Sequence, residues 1–378
     1  MLTLTEEQGM LQEAARGFLS ESAPVSQLRA LRDARDELGY SRDLWRAMAE
    51  LGWTGILIPE EHGGLDFGHM GAGLVCQEMG RTLAASPYIS TAIMAATAIR
   101  RGGGPGQQAR WLPAIAAGEA VIAVAVDEAR KHDPAGTALR AQASCNGFRL
   151  DGHKTFVADA VGADAIIVAA RTGGEPGEAE GLSLFVVDAR AQGLDIERTL
   201  MVDSRNAARL TLDGVQVDEA DALGPVGGAF ELLETVLGAG RAGLAAEMSG
   251  IAQESFARTL GYLRERTQFG RPIGSFQALQ HRAAHLYCEI EVAKSAVLAG
   301  GQALDRDPTG AGFLVSLAKA KAGEVARLAV AEAVQMHGGI GMTDAVDIGL
   351  FMKRARVAGE WLGDASFHAG RIARLRCF

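Results

Sequence analysis

The residues best suited to chemistry lie in one short segment, Tyr262-Leu-Arg-Glu-Arg266-Thr-Gln268-Phe269-Gly270-Arg271-Pro-Ile-Gly-Ser-Phe276-Gln277. Arginines supply planar, permanently charged donors that match a pyrophosphate. Phe269 adds an apolar face and Gln277 a bidentate amide. The same residues also make an ordinary helix-loop-helix corner with a solvated charged face, and residue chemistry alone leaves the two readings even. A second candidate is Gln335-Met336-His337-Gly338-Gly339-Ile340-Gly341. Glycines after a long helix give either a plain stop or a cap whose backbone N–H groups meet a ligand's oxygens.

Two other patterns carry less. Gly238-Ala239-Gly240-Arg241-Ala242-Gly243 satisfies GxGxxG. A dinucleotide fingerprint needs a strand before it, and here a helix is expected, so close helix packing by small residues is the better reading. His281 and His285 have the spacing of a metal pair but lack the HExxH glutamate and a third ligand, so no metal is expected. The four cysteines are scattered with no CxxC pair, which points to neither a zinc site nor a disulfide framework. A net charge of −9 argues against a nucleic-acid partner. No apolar run approaches the roughly 18 residues that span a bilayer, and residues 1–20 show no signal-peptide pattern, so the expected setting is a reducing cytoplasm.

These segments must be held by elements of three kinds. Residues 1–115 read as helical, with Leu11, Ala14, Ala15 and Phe18 at helical spacing, a second helix over Leu44–Leu51, a loop at Pro59–Gly64 and helix again over 71–100. Residues 116–225 carry β-rich runs at Val121–Val126, Ala165–Ala169, Leu182–Val187 and Ala208–Leu212, which predicts an antiparallel β-domain. Residues 226–378 return to long helices over Phe230–Arg266, Gln277–Leu304 and Gly312–Met336, with a last helix from about Asp347 to the C-terminus. Long helices with short connections predict a bundle.

Together the two candidate segments resemble the acyl-CoA dehydrogenase family. Arg266-Thr-Gln-Phe269-Gly270, Gln277 and Gln335-Met-His-Gly338-Gly339-Ile-Gly341 match its R-x-x-F-G corner and its Q-x-x-G-G-x-G loop. Leu51-Gly-Trp53-Thr-Gly55, Pro59-Glu60-Glu61-His-Gly63-Gly64-Leu65, Glu78-Met-Gly80-Arg81 and Leu150-Asp-Gly152-His-Lys154 extend the likeness over nearly the whole chain. The resemblance implies an α+β multidomain fold: a helical N-terminal domain (1–115), an antiparallel β-barrel-like middle domain (116–225) and a C-terminal four-helix bundle (226–378). It implies FAD, an acyl-CoA substrate, an electron-transferring flavoprotein or similar acceptor, and at least a dimer. Arg266, Gln268, Phe269, Gln277, Gln335, Met336, His337, Gly338 and Gly339 would hold the FAD bound mainly by a neighbouring subunit. Arg241 would position the acyl-CoA or the flavin edge, a buried ion pair being the alternative.

The resemblance fails where the base belongs. The family's Glu stands twenty-seven residues after the Gln of Q-x-x-G-G, and here that position is Leu362. The other known position, directly before Arg241, is Gly240. The nearest carboxylates are Glu360 and Asp364. The family's T-E-P reads Asp127-Glu128-Ala129, and its aromatic-x-Thr at the flavin reads Phe156-Val157-Ala158, so Phe156 and Val157 are the remaining flavin contacts. Three readings follow: a partner without its own base in a heterotetramer with a sister dehydrogenase subunit, a complete homo-oligomeric dehydrogenase with a displaced base, or a flavin oxidase or monooxygenase on the same fold. The ending Arg354-Ala-Arg356, Leu362-Gly363-Asp364-Ala365 and His368 resembles the heterotetrameric bacterial sterol and bile-acid side-chain dehydrogenases.

Overall fold

Thr5 opens the first helix by a reciprocal cap: its hydroxyl accepts from Gln8 N–H while the Gln8 side chain accepts from Thr5 N–H. A computed structural model describes residues 3–377. The helices are α1 (Glu6–Ser22), α2 (Val25–Ala34), α3 (Arg42–Glu50), α4 (His69–Thr82), α5 (Ala96–Gly102), α6 (Pro105–Ala116), α7 (Phe230–Glu265), α8 (Gln277–Arg306), α9 (Gly312–His337), α10 (Ile348–Glu360) and α11 (Ala365–Leu375). The strands are β1 (Ile122–Ala125), β2 (Arg140–Ser144), β3 (Gly147–Ala158), β4 (Ala165–Arg171), β5 (Leu182–Asp188), β6 (Leu194–Arg198), β7 (Ala207–Asp218), β8 (Ala222–Leu223), β9 (Thr267–Gln268) and β10 (Arg271–Pro272). The chain divides into two units, one holding the residues up to Arg29, Gly73–Ala84 and everything from Arg241, the other holding Ala30–Ala72 and Ala85–Gly240.

In the second unit β1 to β8 form one sheet in the order β6-β7-β3-β2-β4-β5-β8, with β1 beside β4. The pairings are antiparallel except β1–β4 and the single β2–β4 pair, which are parallel. The expected antiparallel domain is therefore mixed at β4. Inward residues of β1 through β7, among them Ala123, Leu150, Val168, Phe185 and Leu210, share one core. The sheet is strongly curved: β2 and β4 separate β3 from β5, a span of about 14 Å if flat, yet the Phe148 and Phe185 rings lie 5.1 Å apart.

The first unit is the helical bundle, with Ala252, Leu286, Ile290, Ala293, Val325 and Ala329 of α7, α8 and α9 forming one apolar core. The second half of α4 lies directly on α7. A Cβ at Gly80 would collide with the Glu247 carbonyl, and one at Gly250 with the Gln77 carbonyl. Buried Glu78 ties the same contact together through Arg16 and Arg81, and Arg81 reaches Glu254. Residues 71–100 are helical as expected except at 83–87, where α4 stops before Leu83, whose φ is +56°, and Pro87 precedes a further helical stretch, Tyr88–Ala95, that runs into α5. One expectation is corrected. The last helix is broken into α10 and α11 by Leu362 at φ +58° and Gly363 at φ +105°, after which the Asp364 side chain caps α11 at Phe367 N–H (2.8 Å).

Candidate functional site

The arginine-rich corner is a tight β-hairpin between two long helices. Helix α7 ends at Glu265, and β9 and β10 pair as Gln268 with Arg271 and Thr267 with Pro272. Phe269 at φ +53° and Gly270 at φ +76° make the tip. Ile273 N–H returns to the Arg266 carbonyl (2.8 Å), which locks the base of the hairpin onto the helix end. The guanidinium of Arg271 lies 4.2 Å over the Phe276 ring. Phe269 is 90% exposed, and Arg266, Gln268 and Gln277 are exposed as well. A large aromatic held outward on a rigid tip is unusual without something to cover it.

The glycine turn follows α9. Gly338 leaves the helix at φ +66°, and added Cβ atoms at Gly338 and Gly339 would meet nothing within 4 Å, so this backbone is open to a ligand. Gln335 is exposed, whereas Met336 and His337 are buried. The two segments meet: the rings of Tyr262, one turn before Arg266, and His337 stack at 4.4 Å with planes 19° apart.

Around Leu362 the geometry is equally defined. Lys319 of α9 is fully enclosed, and its ammonium donates to the carbonyls of Ala358 (3.0 Å), Gly359 (3.1 Å) and Gly363 (3.0 Å). The first two are C-terminal carbonyls of α10, which a cation satisfies well. Burial first, then the nearby Arg241 charge, pushes the Lys319 ammonium down to about 7. Arg241 Nε donates to the Leu362 carbonyl (3.3 Å), and His368 Nε2 lies 3.2 Å from the same oxygen. Leu362 itself is buried, Glu360 pairs with Arg356 (3.2 Å), and Asp364 is engaged as the α11 cap. Gly240 lies within α7 and brings no side chain. The GxGxxG stretch sits inside that helix with no strand before it. At Gly238 a Cβ would meet nothing within 4 Å, so close packing does not explain that glycine. His281 and His285 are exposed on α8, and no metal-binding cluster occurs among the described residues.

In the sheet unit, β3 and β7 slip register between Lys154 and Val157, and Phe156 sits in that irregularity at φ +50°. Such a bulge with a left-handed non-glycine residue re-aims side chains and is a recurrent feature of binding sites. Lys154, wholly buried, donates to the Val126 carbonyl (2.9 Å) and Glu128 (2.7 Å), whose carboxylate also accepts from Ala138 and Leu139 N–H. Burial outweighs Glu128 and lowers the Lys154 pKa. Thr155 N–H donates to the Asp127 carbonyl (2.7 Å), and Asp127 holds His132 Nδ1 at 2.8 Å. Val157 is buried in the same strand.

Family models for the N-terminal, middle and C-terminal domains of acyl-CoA dehydrogenase match residues 5–119, 127–215 and 228–375. The chain belongs to the acyl-CoA dehydrogenase family. It is 30% identical over 381 residues to a probable acyl-CoA dehydrogenase of Bacillus subtilis, covering 98% of each chain. Among solved structures it resembles a Tcur3481–Tcur3483 steroid ACAD variant, at 34% identity and TM-score 0.89 with 99% of each chain covered. It also resembles the ChsE4–ChsE5 complex from Mycobacterium tuberculosis, at 28% identity and TM-score 0.89, covering 100% of this chain and 99% of that one. The chain is thus an oxidoreductase of a FAD-dependent family. The residues present fit that cofactor: exposed guanidinium groups at Arg266 and Arg271, an exposed Phe269 ring and the open Gly338–Gly339 backbone suit an adenosine diphosphate moiety.

Reading the sequence missed Lys319 and His132, and although it named Lys154, Asp127 and Glu128 it did not foresee that Lys154 meets Glu128 or that Asp127 holds His132. The signal for Lys319 was present: one lysine on an otherwise small and apolar helix face, Val315, Ala318, Ala322 and Val325. Nothing local signals that Tyr262 meets His337.

Proposed function

We propose that this chain takes part in the FAD-dependent α,β-dehydrogenation of acyl-CoA thioesters as a cytoplasmic subunit without a base of its own. Its hairpin corner and glycine turn would hold the adenosine half of FAD bound mainly by a sister dehydrogenase subunit in a heterotetramer. The observation that carries this reading is the turn at Leu362. An apolar side chain stands where the family's acid belongs, and both neighbouring carboxylates are engaged elsewhere. When bound, FAD accepts the β-hydrogen as hydride, and an electron-transferring flavoprotein is the expected acceptor from it. The names of two similar solved assemblies, a steroid ACAD and ChsE4–ChsE5, favour a two-chain enzyme and a bulky acyl group. Arg266, Arg271 and the 338–339 backbone would neutralise and orient the pyrophosphate. Phe269 and Gln268 would cover the adenosine, and Phe156 would line the flavin of the chain's own sheet unit, whereas the Val157 side chain is committed to the sheet core and could offer only its main chain.

The test is flavin content and acyl-CoA oxidation for the chain alone and after co-expression with a dehydrogenase-like sister chain. The reading expects stable flavin and turnover only for the pair. A lone chain that carries one FAD per subunit and oxidises acyl-CoA would remove it.

A further inference from the structure

The proposed cofactor site is made of two segments far apart in sequence, and something must hold them at a fixed separation. The described contact between them is aromatic. Tyr262 and His337 stack at 4.4 Å and 19°. The His337 ring is anchored, and the Tyr262 main chain is tied to the corner. His337 is buried, and its Nδ1 lies 2.7 Å from the Ala333 carbonyl. A carbonyl only accepts, so Nδ1 carries the proton and the ring plane is fixed. Tyr262 lies on the last turn of α7, and its own carbonyl receives Arg266 N–H (2.9 Å). Arg266 in turn receives Ile273 N–H, which closes the hairpin. On the other side His337 is followed directly by Gly338, where the chain leaves α9 with a left-handed φ. A continuous physical path therefore runs from the glycine turn through two rings to the arginine hairpin. The residues flanking it on both sides are exposed, whereas His337 within it is buried.

We propose that Tyr262 and His337 are a positioning pair that sets the distance between the glycine turn and the arginine corner, so that both meet one adenosine diphosphate group. The proposal rests on the FAD reading above and assigns the pair no contact with the reacting atoms. A stack suits this task. It fixes spacing and relative tilt through the faces of two rings that lie 4.4 Å apart.

The experiment measures ADP binding by calorimetry, with FAD and coenzyme A as competitors, for the flavin-free assembly and for Tyr262→Phe, Tyr262→Ala and His337→Ala. The wild type is expected to bind ADP that FAD displaces and coenzyme A does not. Tyr262→Phe keeps the ring and should stay within about twofold of wild type, while Tyr262→Ala should weaken ADP about tenfold, the scale of one stacked pair. FAD release, followed by the rise of flavin fluorescence from the loaded assembly, should quicken in the same order. Thermal unfolding of each variant separates loss of fold from loss of spacing, and Tyr262→Leu serves if the alanine variant does not fold. Equal ADP affinity in folded Tyr262→Ala or Tyr262→Leu and wild type would overturn the positioning role alone. A wild type that binds no FAD-displaceable ADP would overturn the FAD reading of the corner, and the pair's role with it.

Discussion

Replacing Lys319 with methionine tests the charge that clamps the turn at 361–363. In the native state three main-chain carbonyls accept from this ammonium, at 3.0, 3.1 and 3.0 Å, and the side chain is enclosed. Two effects oppose each other. Methionine leaves three carbonyls without that donor, at about 1–3 kcal/mol each if water cannot reach them. It also removes the cost of burying a cation. That cost depends on pH, and its sign follows from linkage. Lys319 has its native pKa lowered from 10.5 to about 7. Between those values the unfolded chain holds a proton that the native chain has released. The wild type therefore gains stability as pH rises through this window, and below about 7 it carries the full burial cost. Integrating over the window gives about 2–3 kcal/mol of added stability between about pH 6 and about pH 9. Arg241 and Glu247 on α7, with Glu360 and Asp364 at the turn, face the lysine in both proteins, so their own titration cancels to first order. The assay is urea unfolding of both proteins at several pH values, followed by Trp fluorescence and circular dichroism. Trp361, buried beside the clamp, reports locally. The advantage of wild type over Lys319→Met should widen by about 2 kcal/mol from the acid to the alkaline end. Parallel curves, or a gap that narrows with pH, would refute the assignment of a neutral-range pKa to Lys319.

Arg266→Ala removes a charged donor from the corner and should weaken FAD about ten- to a hundredfold, read as flavin content of the purified assembly; unchanged loading would remove Arg266 from the site. Lys154→Met leaves Glu128 without its ammonium partner and should destabilise the sheet unit by about 3–5 kcal/mol, and adding Glu128→Gln should recover part of that loss in a denaturation cycle. Gly80→Ala drives a methyl into the Glu247 carbonyl on α7 and should cost about 1–3 kcal/mol, measured as a lower melting temperature; a neutral effect would mean that the two helices separate cheaply.

The parts of this molecule that could be read in advance are those in which local backbone demands show in the residue types. Gly80 in Glu78-Met-Gly80-Arg81 stands where α4 touches α7, and Glu78 and Arg81 are the ion-paired residues of the same contact. The runs around Val124, Ile167 and Leu184 became β1, β4 and β5 as short, almost continuously buried apolar stretches, and the run around Leu210 became β7, which alternates buried with exposed residues. Asn146-Gly147, a residue pair suited to a tight turn, stands where Ser144 pairs with Gly147 between β2 and β3. The parallel pairing of β1 with β4 was hidden, since strand order is set by contacts between distant residues. The break at Leu362 was hidden for a related reason. A leucine with left-handed φ carries no local signal, and the groups that hold it there come from α7, α9 and α11. Within the candidate site the exposed donors at 266–277 and the glycines at 338–339 were legible by type. Their junction was not, because Tyr262 and His337 lie seventy-five positions apart.

The clamp on the α10–α11 turn takes hold of the main chain at residues 358, 359, 362 and 363 and makes no use of the side chain at 362. The course of the turn is thus held by main-chain oxygens that every residue carries, whichever side chain stands at 362. Exchanging that side chain changes what the mount presents and leaves these bonds in place.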